Sequence, residues 1–202
     1  MVETVGVIGA GPIGRAVAAH AAAAGQKVLI SNSRGPESLS GLVAELGSNV
    51  FATSVEDAAN ADVVVLAVPF VRAHEIGKLI RDWSGRIVVD TTNEFAEYAP
   101  YSGRVELGDE TASEFIARQL PGATIVKAFN AMYSDYVAPS PRHEAGRQVV
   151  FYAGDDAAAN EVFGELVEGW GFAPVLVGGL RAGGQLLQLG GHLSLVHVLK
   201  QD

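Results

Sequence analysis

Short apolar runs alternate along the whole chain with stretches in which apolar residues recur at helical spacing. Residues 62–69 (DVVVLAVP) and 86–90 (RIVVD) are almost continuously apolar, as expected for parallel strands buried on both faces. Further strands are predicted at residues 5–8, 27–30, 50–53, 124–128, 148–153 and 173–177. Helices are predicted at residues 15–24, 36–46, 73–83, 111–120 and 157–170, with one more beginning after Ser54 as its cap. This alternation predicts an α/β fold with a doubly wound, mostly parallel sheet in a single domain.

The first predicted strand runs into a glycine motif, VGVIGAGPIG at residues 5–14, and an alanine-rich helix follows. In this context Gly9 permits the tight turn, Gly11 lets a pyrophosphate approach the backbone, and Gly14 allows the helix to pack closely on the strand. The helix start also offers free N–H groups and a positive dipole end to the phosphates. The sequence therefore predicts a Rossmann-type dinucleotide site, with the pyrophosphate on Gly9, Ala10, Gly11, Pro12, Ile13 and Gly14.

The loop after the second predicted strand indicates which dinucleotide is bound. A site selective for NAD carries an acidic residue at about this point to bind the ribose hydroxyls, but no acid occurs here before Glu37. The loop instead offers Ser31, Asn32 and Ser33 as neutral hydrogen-bonding groups. Arg34 adds a planar cation that suits a phosphate. This combination favours NADP(H) with its 2′-phosphate, and the alternative is a polar loop with a solvated arginine.

Residues that follow the other predicted strands should meet on one edge of the sheet, because the carboxyl ends of parallel strands lie together. Val68 and Pro69 would pass beneath the adenine-side ribose and the diphosphate. Thr91, Thr92 and Asn93 would lie near the nicotinamide, with ordinary turn chemistry as their alternative.

The segment KAFN at residues 127–130 reaches the same edge. Lys127 has a structural ion pair as its alternative role, and Phe129 is expected to pack in the core. Tyr133 and Tyr136 follow the same turn, and we expect them either to line a substrate pocket or to pack in the core.

Composition narrows the possible functions. The chain has 202 residues, no cysteine and a formal net charge of −9. The lack of cysteine excludes disulfides, thiol nucleophiles, iron–sulfur clusters and cysteine–zinc sites, and the acidic balance argues against a nucleic-acid partner. No apolar run approaches the length of a membrane span, and the first strand begins too early for a signal peptide. We therefore expect a cytoplasmic protein without membrane, nucleic-acid or metal partners.

Chain length bears on the reaction. We expect residues 1–178 to form the nucleotide-binding domain and residues 179–202 to add a short C-terminal helical segment, which leaves no separate substrate domain. The second substrate must then lie on the same rim, and a flat redox ring stacked on nicotinamide would suit it. Hydride transfer between rings needs orientation more than an acid or base.

His143 is a loop histidine that could reach the rim, but no residue is identified as a catalytic acid or base.

The order and spacing of five segments resemble one known family: GVIGAGPIG, SNSRGPESL, VVDTTNE, GATIVKAFNAM and the GGL turn at residues 178–180. Over nearly its whole length the chain resembles the NADPH-dependent reductases of the deazaflavin coenzyme F420, the F420-dependent NADP oxidoreductases. It is also similar to the cytoplasmic domain of the six-transmembrane ferric reductases, which pass electrons from NADPH to a flavin.

The resemblance implies an NADP(H)-dependent oxidoreductase that transfers a hydride between NADPH and coenzyme F420, or a flavin, as a small-molecule acceptor. It implies that residues 9–14 bind pyrophosphate and that residues 31–34 bind the 2′-phosphate. It implies that the rest of the cofactor is bordered by Ala67, Val68, Pro69, Thr92, Asn93, Ala128 and Asn130. A homodimer through C-terminal elements is also implied, and it agrees with the apolar residues 193–199, which are either core or a subunit contact.

Two other functions stay open on the sequence alone. One is an NADPH-dependent imine or carbonyl reductase of the pyrroline-carboxylate reductase kind, which needs a proton donor and usually a helical dimerisation domain. The other is a non-catalytic NADP(H)-binding module that senses redox state or docks to a partner. Stereospecific hydride exchange with any acceptor would exclude the second.

Overall fold

Parallel strands form the centre of the sheet. The structure, a computed structural model, describes residues 2–80, 82–98 and 100–201. The parallel strands are β1 Thr4–Ile8, β2 Lys27–Ser31, β3 Val50–Ala52, β4 Val63–Leu66, β5 Ile87–Asp90 and β6 Thr124–Ala128. They lie side by side in the order β3, β2, β1, β4, β5, β6. The order reverses between β1 and β4, and at such a point doubly wound sheets open a crevice for ligands.

Helices cover both faces of this sheet. They are α1 Pro12–Ala23, α2 Ser40–Leu46, α3 Val55–Ala58, α4 Ala73–Leu79, α5 Ala112–Gln119, α6 Ser134–Val137, α7 Ala157–Gly169 and α8 Ala182–Leu187. Alternate residues of one strand enter different cores: Val63 and Val65 of β4 join one apolar cluster, while Val64 and Leu66 join the other. Because each face is covered, the strands are mostly apolar, although Asp90 of β5 and Lys127 of β6 are buried charged residues. The predicted doubly wound, mostly parallel α/β fold is therefore confirmed.

A further strand extends the sheet beyond β6. This strand, β8 (Gly146–Gly154), pairs antiparallel with β6, and β9 (Ala173–Leu176) runs parallel to β8. The two-residue strands β7 (Arg142–His143) and β10 (Leu199–Lys200) pair antiparallel with the start of β8. Strands of two residues carry no readable alternation, which is why the sequence did not predict β7 or β10.

Two predicted helices are divided or shortened in the structure. Residues 36–46 divide into a 3₁₀ turn, Pro36–Leu39, and α2. The helix predicted for residues 73–83 ends at Leu79, because Ile80 is in an extended conformation with φ −110° and ψ 110°. The Ser54 cap is confirmed, since its hydroxyl accepts a hydrogen bond from the Asp57 N–H at 3.0 Å.

The C-terminal residues are less helical than the sequence indicated. Within residues 179–201, α8 is helical, and the chain then returns to the sheet as β10. Leu195, Val196, Val198 and Leu199 are 37–48% exposed, so most of the apolar end lies outside the core. A subunit contact there stays a prediction, as does a boundary at residue 178. Within the described ranges, no helix is both long and apolar enough to cross a bilayer.

Candidate functional site

Hydrogen bonds connect the loops at the carboxyl ends of neighbouring strands into one rim. After β1, Gly9 N–H donates to Ser31 O at the end of β2, at 2.9 Å. After β4, Ala67 N–H donates to Ile8 O at 2.8 Å. After β5, Thr91 donates to Leu66 O through both its N–H and its hydroxyl, at 3.3 and 3.0 Å. The sheet topology thus brings together segments that are scattered in the sequence.

Two glycines of the predicted fingerprint are required by the protein itself. Gly9 has φ +111°, and a Cβ on it would lie 2.2 Å from Ala67 O. A Cβ on Gly14 would lie 1.9 Å from Gly9 O, because α1 crosses β1 there at close range. Gly9 therefore sets the turn and Gly14 the approach of helix to strand, as the motif predicts.

Gly11 is different, because no contact among the described residues requires a glycine there. Its φ is −76°, an ordinary value, and a Cβ on it would meet no atom within 4 Å. Gly11 is the N-cap of α1, without a side-chain cap and without an acidic residue in the first turn. The start of this twelve-residue helix is thus an open cradle of backbone N–H groups, as expected of a site for an anion. These features fit a pyrophosphate on the predicted residues.

Sequence reasoning missed one cation beside this turn. Arg15 is exposed, and its Nε donates to Ala10 O at 3.0 Å, so its guanidinium is held against the glycine turn. It belongs to the first turn of α1, and the only signal for it in the sequence was a charged residue directly after Gly14. A guanidinium in this place adds positive charge where the phosphates are expected.

The loop after β2 is organised by Asn32. Its Oδ1 accepts from Arg34 N–H at 2.9 Å, and its Nδ2 donates to Ser38 Oγ at 2.9 Å. This arrangement leaves Ser33 and Arg34 exposed. No residue in the described part of the chain forms an ion pair with Arg34. The free guanidinium fits a phosphate.

Ser31 does not share that surface. It is fully buried, and its hydroxyl donates to Val7 O at 3.3 Å. As the last residue of β2 it points into the core, so its side chain is not presented to a 2′-phosphate. Of the four predicted phosphate-binding residues, the structure therefore exposes Ser33 and Arg34, and it gives Asn32 a supporting role in the loop.

The end of β4 forms a wall beside the glycine turn. Ala67, Val68 and Pro69 are each partly exposed. Val68 Cγ1 would lie 3.3 Å from a Cβ on Gly9, which places the valine directly against the turn. An apolar wall here is consistent with the predicted lining of the cofactor.

A buried ion pair joins the ends of β5 and β6. Lys127 Nζ lies 2.9 Å from Asp90 Oδ2, and both side chains are 0% exposed. Asp90 Oδ1 accepts from Thr92 N–H and Oγ1 at 2.9 and 2.7 Å, so Thr92 is buried as well. The alternative that Lys127 has a structural partner is thus confirmed, and the Thr92 side chain serves the turn.

Asn93 and Asn130 face each other across the same two strand ends. Asn93 Nδ2 donates to Asn130 O at 2.8 Å, and Asn130 Nδ2 donates to Asn93 Oδ1 at 3.1 Å and to Leu187 O at 2.8 Å. Asn130 is 6% exposed, and its Oδ1 has no hydrogen-bond partner within the described residues. A buried acceptor without a donor is costly, which fits a site that a ligand N–H completes. Ala128 is fully buried beneath it.

Phe129 stands between these groups in a strained conformation. It has φ +62°, which is rare for a residue with a side chain. Its ring is 2% exposed and contacts the rings of Phe163, Trp170 and Phe172 at centroid distances of 6.0–6.4 Å. The prediction of core packing is confirmed, and the aromatic contacts stabilise a backbone turn that directs Asn130 to the rim.

Two other candidates stand apart from the hydrogen-bonded rim. Tyr133 and Tyr136 are 58% and 51% exposed, so the core-packing alternative is wrong for both. Tyr136 stacks on His197 with ring centroids 4.0 Å apart, and both line a cavity of about 190 Å³ together with His143. No hydrogen bond in the described ranges links His143 to the glycine turn.

Comparison with known proteins agrees with this geometry. Residues 4–94 match the family model described as NADP oxidoreductase coenzyme F420-dependent. A solved structure of a hypothetical protein from Sinorhizobium meliloti is 38% identical, with a TM-score of 0.92 over 100% of this chain and 97% of that one. A proposed F420-dependent NADP-reductase from Arthrobacter sp. FB24 shares the fold, with a TM-score of 0.72 and 24% identity over 91% and 89% of the two chains.

Metalloreductase STEAP3 of Rattus norvegicus is 27% identical over 178 residues, which are 88% of this chain. The chain spans about a third of that relative's length, 34%. The match to the family model and the full-length similarity to the Sinorhizobium protein agree with the strand, glycine turn and loop that the structure shows. Residues 4–94 of the chain, which hold this strand, glycine turn and loop, are therefore similar to the family of NADP oxidoreductases described as coenzyme F420-dependent.

Proposed function

We propose that the protein binds NADPH along the rim and transfers a hydride to a flavin-like acceptor, with coenzyme F420 as the substrate. The observation that carries the proposal is Gly11, which is partly exposed and whose lack of a side chain no contact among the described residues explains. A ligand that must approach the backbone explains it. Bound NADPH would supply the hydride from its dihydronicotinamide ring, leaving NADP⁺, and the acceptor ring would take up the hydride with a solvent proton.

Selectivity for NADPH over NADH rests on the loop after β2. Arg34 is exposed and without an ionic partner in the described chain, and Asn32 holds its backbone N–H. A 2′-phosphate would provide the anion that this guanidinium lacks, with Ser33 as a neighbouring donor. A protein with net charge −9 repels a dianion elsewhere, so a local cation matters more.

Placement of the nicotinamide rests on the ends of β5 and β6. Asn130 Oδ1 would accept a hydrogen bond from the carboxamide N–H₂ of the ring, which satisfies the unpartnered acceptor. Asn93, which is partly exposed, would border the ring, whereas Ala128 is fully buried and would not contact it. The protein would orient two rings and exclude water, and no side chain has to act as acid or base.

The choice of acceptor rests on the comparisons. The family description favours coenzyme F420. Similarity to a metalloreductase over most of this chain makes a flavin-linked reaction the second candidate. An imine or carbonyl reductase would need a proton donor on the rim, and a sensor module would bind NADPH without exchanging hydride.

The proposal also includes a homodimer, formed through the exposed residues of the C-terminal end, and a cytoplasmic location.

Stopped-flow mixing tests the reaction directly. The protein and NADPH are mixed in turn with coenzyme F420, FMN and FAD, and the nicotinamide absorbance is followed. Rapid oxidation by coenzyme F420 alone supports the proposal, whereas oxidation by a flavin alone supports the second candidate. Binding of NADPH without oxidation by any of them would contradict both.

The matched pair Arg34→Ala and Arg118→Ala tests the cofactor choice. Loss of Arg34 should weaken NADPH binding about 10- to 100-fold, as expected for charge-assisted hydrogen bonds, and leave NADH binding nearly unchanged. Arg118, in the last turn of α5, is also exposed, but it forms an ion pair with Glu110. Its loss should change neither NADPH binding nor NADH binding. Equal weakening of NADPH and NADH by Arg34→Ala would contradict the 2′-phosphate assignment.

A further inference from the structure

The ion pair between Lys127 and Asp90 is unusual because it is completely buried. Both side chains are 0% exposed, and the charged atoms lie 2.9 Å apart. Burying two charges costs so much hydration that apolar side chains of similar volume often serve stability equally well. The pair occupies one register position of two core strands, Asp90 of β5 beside Lys127 of β6, where apolar residues would continue the core. Its contacts therefore point to a task other than holding the strands together.

Those contacts converge on one residue of the rim. Asp90 Oδ1 accepts from the N–H and hydroxyl of Thr92, at 2.9 and 2.7 Å. Lys127 Nζ donates to Thr92 O in addition to Asp90. The backbone N–H, the hydroxyl and the carbonyl oxygen of Thr92 are thus all hydrogen-bonded to the pair. Asp90 accepts one further hydrogen bond, from Ser113 Oγ of α5 at 3.1 Å.

The next residue carries this constraint to the nicotinamide end of the rim. Asn93 makes two hydrogen bonds to Asn130, one to its carbonyl and one from its side-chain amide. The second of these, with the bond to Leu187 O, occupies both hydrogens of the Asn130 amide, so its Oδ1 is left as an acceptor with a fixed direction. A shift of the Thr92 peptide would move Asn93 and release that orientation.

We infer that Asp90 and Lys127 are positioning residues, which clamp Thr92 and thereby hold Asn93 and Asn130 in place to receive the carboxamide of the nicotinamide. The inference rests on the proposed function and adds to it a fixed orientation of the reacting ring. The clamp acts on the nicotinamide half of the cofactor only, because none of its contacts reaches the glycine turn or the loop of Arg34.

Two ligands separate the halves of the cofactor: NADPH, and 2′,5′-ADP, which has the adenosine and 2′-phosphate but no nicotinamide. The test variant is Asp90→Asn/Lys127→Met, which removes both charges together, and the control is Ser113→Ala, which touches Asp90 but not Thr92. Affinities are measured by titration calorimetry, and the fluorescence anisotropy of bound NADPH reports how firmly the nicotinamide is held.

The double variant should bind 2′,5′-ADP within about twofold of the wild type, bind NADPH about 3- to 10-fold more weakly, and show lower anisotropy, since one hydrogen bond is lost. The control should match the wild type in all three. If circular dichroism shows that the double variant is not folded, Thr92→Val takes its place. This variant removes the hydrogen bond from the Thr92 hydroxyl to Asp90 and keeps the ion pair. It should therefore also bind NADPH more weakly while binding 2′,5′-ADP as the wild type does.

Unchanged NADPH affinity and anisotropy in the folded variant would overturn the inference while leaving the proposed function in place. Equal weakening of both ligands would also overturn it, because the pair would then support the fold and not the ring. If the wild type binds neither ligand, the proposed function fails, and the inference fails with it.

Discussion

The change from Gly11 to Ala separates the needs of the fold from the needs of the ligand. In the structure a Cβ at Gly11 lies in open space, and the backbone has φ −76°, which alanine adopts freely. At Gly14, in contrast, the same methyl group would lie 1.9 Å from Gly9 O, which is backbone and cannot move aside cheaply. The two substitutions add the same atoms three residues apart, so each is the control for the other.

Gly11→Ala should mainly weaken ligand binding, whereas Gly14→Ala should mainly lower the free energy of unfolding. For Gly11→Ala, the loss of chain entropy in the unfolded state stabilises the protein by about 0.4–1 kcal/mol, and alanine is a poorer N-cap by a similar amount. The free energy of unfolding should therefore stay within about 0.5 kcal/mol of the wild type. NADPH binding should weaken at least about 10-fold, or roughly 1.4 kcal/mol, because the methyl group occupies the path of the pyrophosphate. Gly14→Ala should lower the free energy of unfolding by about 1–3 kcal/mol through overpacking.

Urea denaturation and NADPH titration on both variants provide the assay. Stability close to the wild type with weak binding identifies Gly11 as a ligand-contact position. Gly11→Ala protein that binds NADPH as tightly as the wild type would refute the pyrophosphate site. A loss of stability as large as that of Gly14→Ala would show that Gly11 is a packing residue.

Three further predictions concern stability, all measured by urea denaturation. Thr111→Ala should cost about 1–2 kcal/mol, because the hydroxyl accepts from Glu114 N–H in a capping box, and Thr111→Ser should restore it. Arg104→Ala should cost about 1–3 kcal/mol, because Glu94 is 1% exposed and Arg104 is its ionic partner at 2.7 Å; recovery on adding Glu94→Gln would confirm the cause, and no loss would contradict it. Hydrogen bonds from backbone N–H groups, that of Thr4 foremost, lower the pKa of Asp62, so its contribution is present above the ordinary aspartate pKa and is lost as the pH falls through the folded pKa. The cost of Asp62→Asn should therefore be larger at about pH 6 than at about pH 3, and the opposite order would refute this assignment.

Local signals in the sequence were enough to predict the glycine turn and the helix that follows it. A strand, three spaced glycines and a helix lie within ten residues of one another, and each has its effect through backbone conformation. The arginine directly after β2 was predicted from its place in the sequence for the same reason, and the structure leaves it exposed.

Features that depend on distant contacts could not be predicted. Ser31 was expected to bind the 2′-phosphate, but its side chain is buried in the core. The direction of the last side chain follows from the pleat of the strand. Because β2 is apolar on both faces, its sequence shows no alternation from which that direction could be predicted. The clamp of Asp90 and Lys127 joins residues 37 positions apart, and the sequence could offer an ion pair for Lys127 only as an alternative. Leu187 lies beside Asn130 although the two are 57 positions apart in the sequence.

The bonds of Leu187 and Leu195 to the loop after β6 imply an order of folding. The glycine turn closes with a bond from Gly9 to Ser31, within the first strands of the chain. The other end of the rim, proposed for the nicotinamide, closes only when Leu187 O accepts from Asn130 and Leu195 N–H donates to Ala131 O, at 2.8 Å each, and Leu187 is 57 positions beyond Asn130. Because contacts of longer sequence separation form later, the half of the rim proposed to bind phosphate should form before the half proposed to bind the nicotinamide. Pulse-labelled hydrogen exchange during refolding should protect Gly9 N–H before Leu195 N–H, and simultaneous protection would show that the two halves fold as one unit.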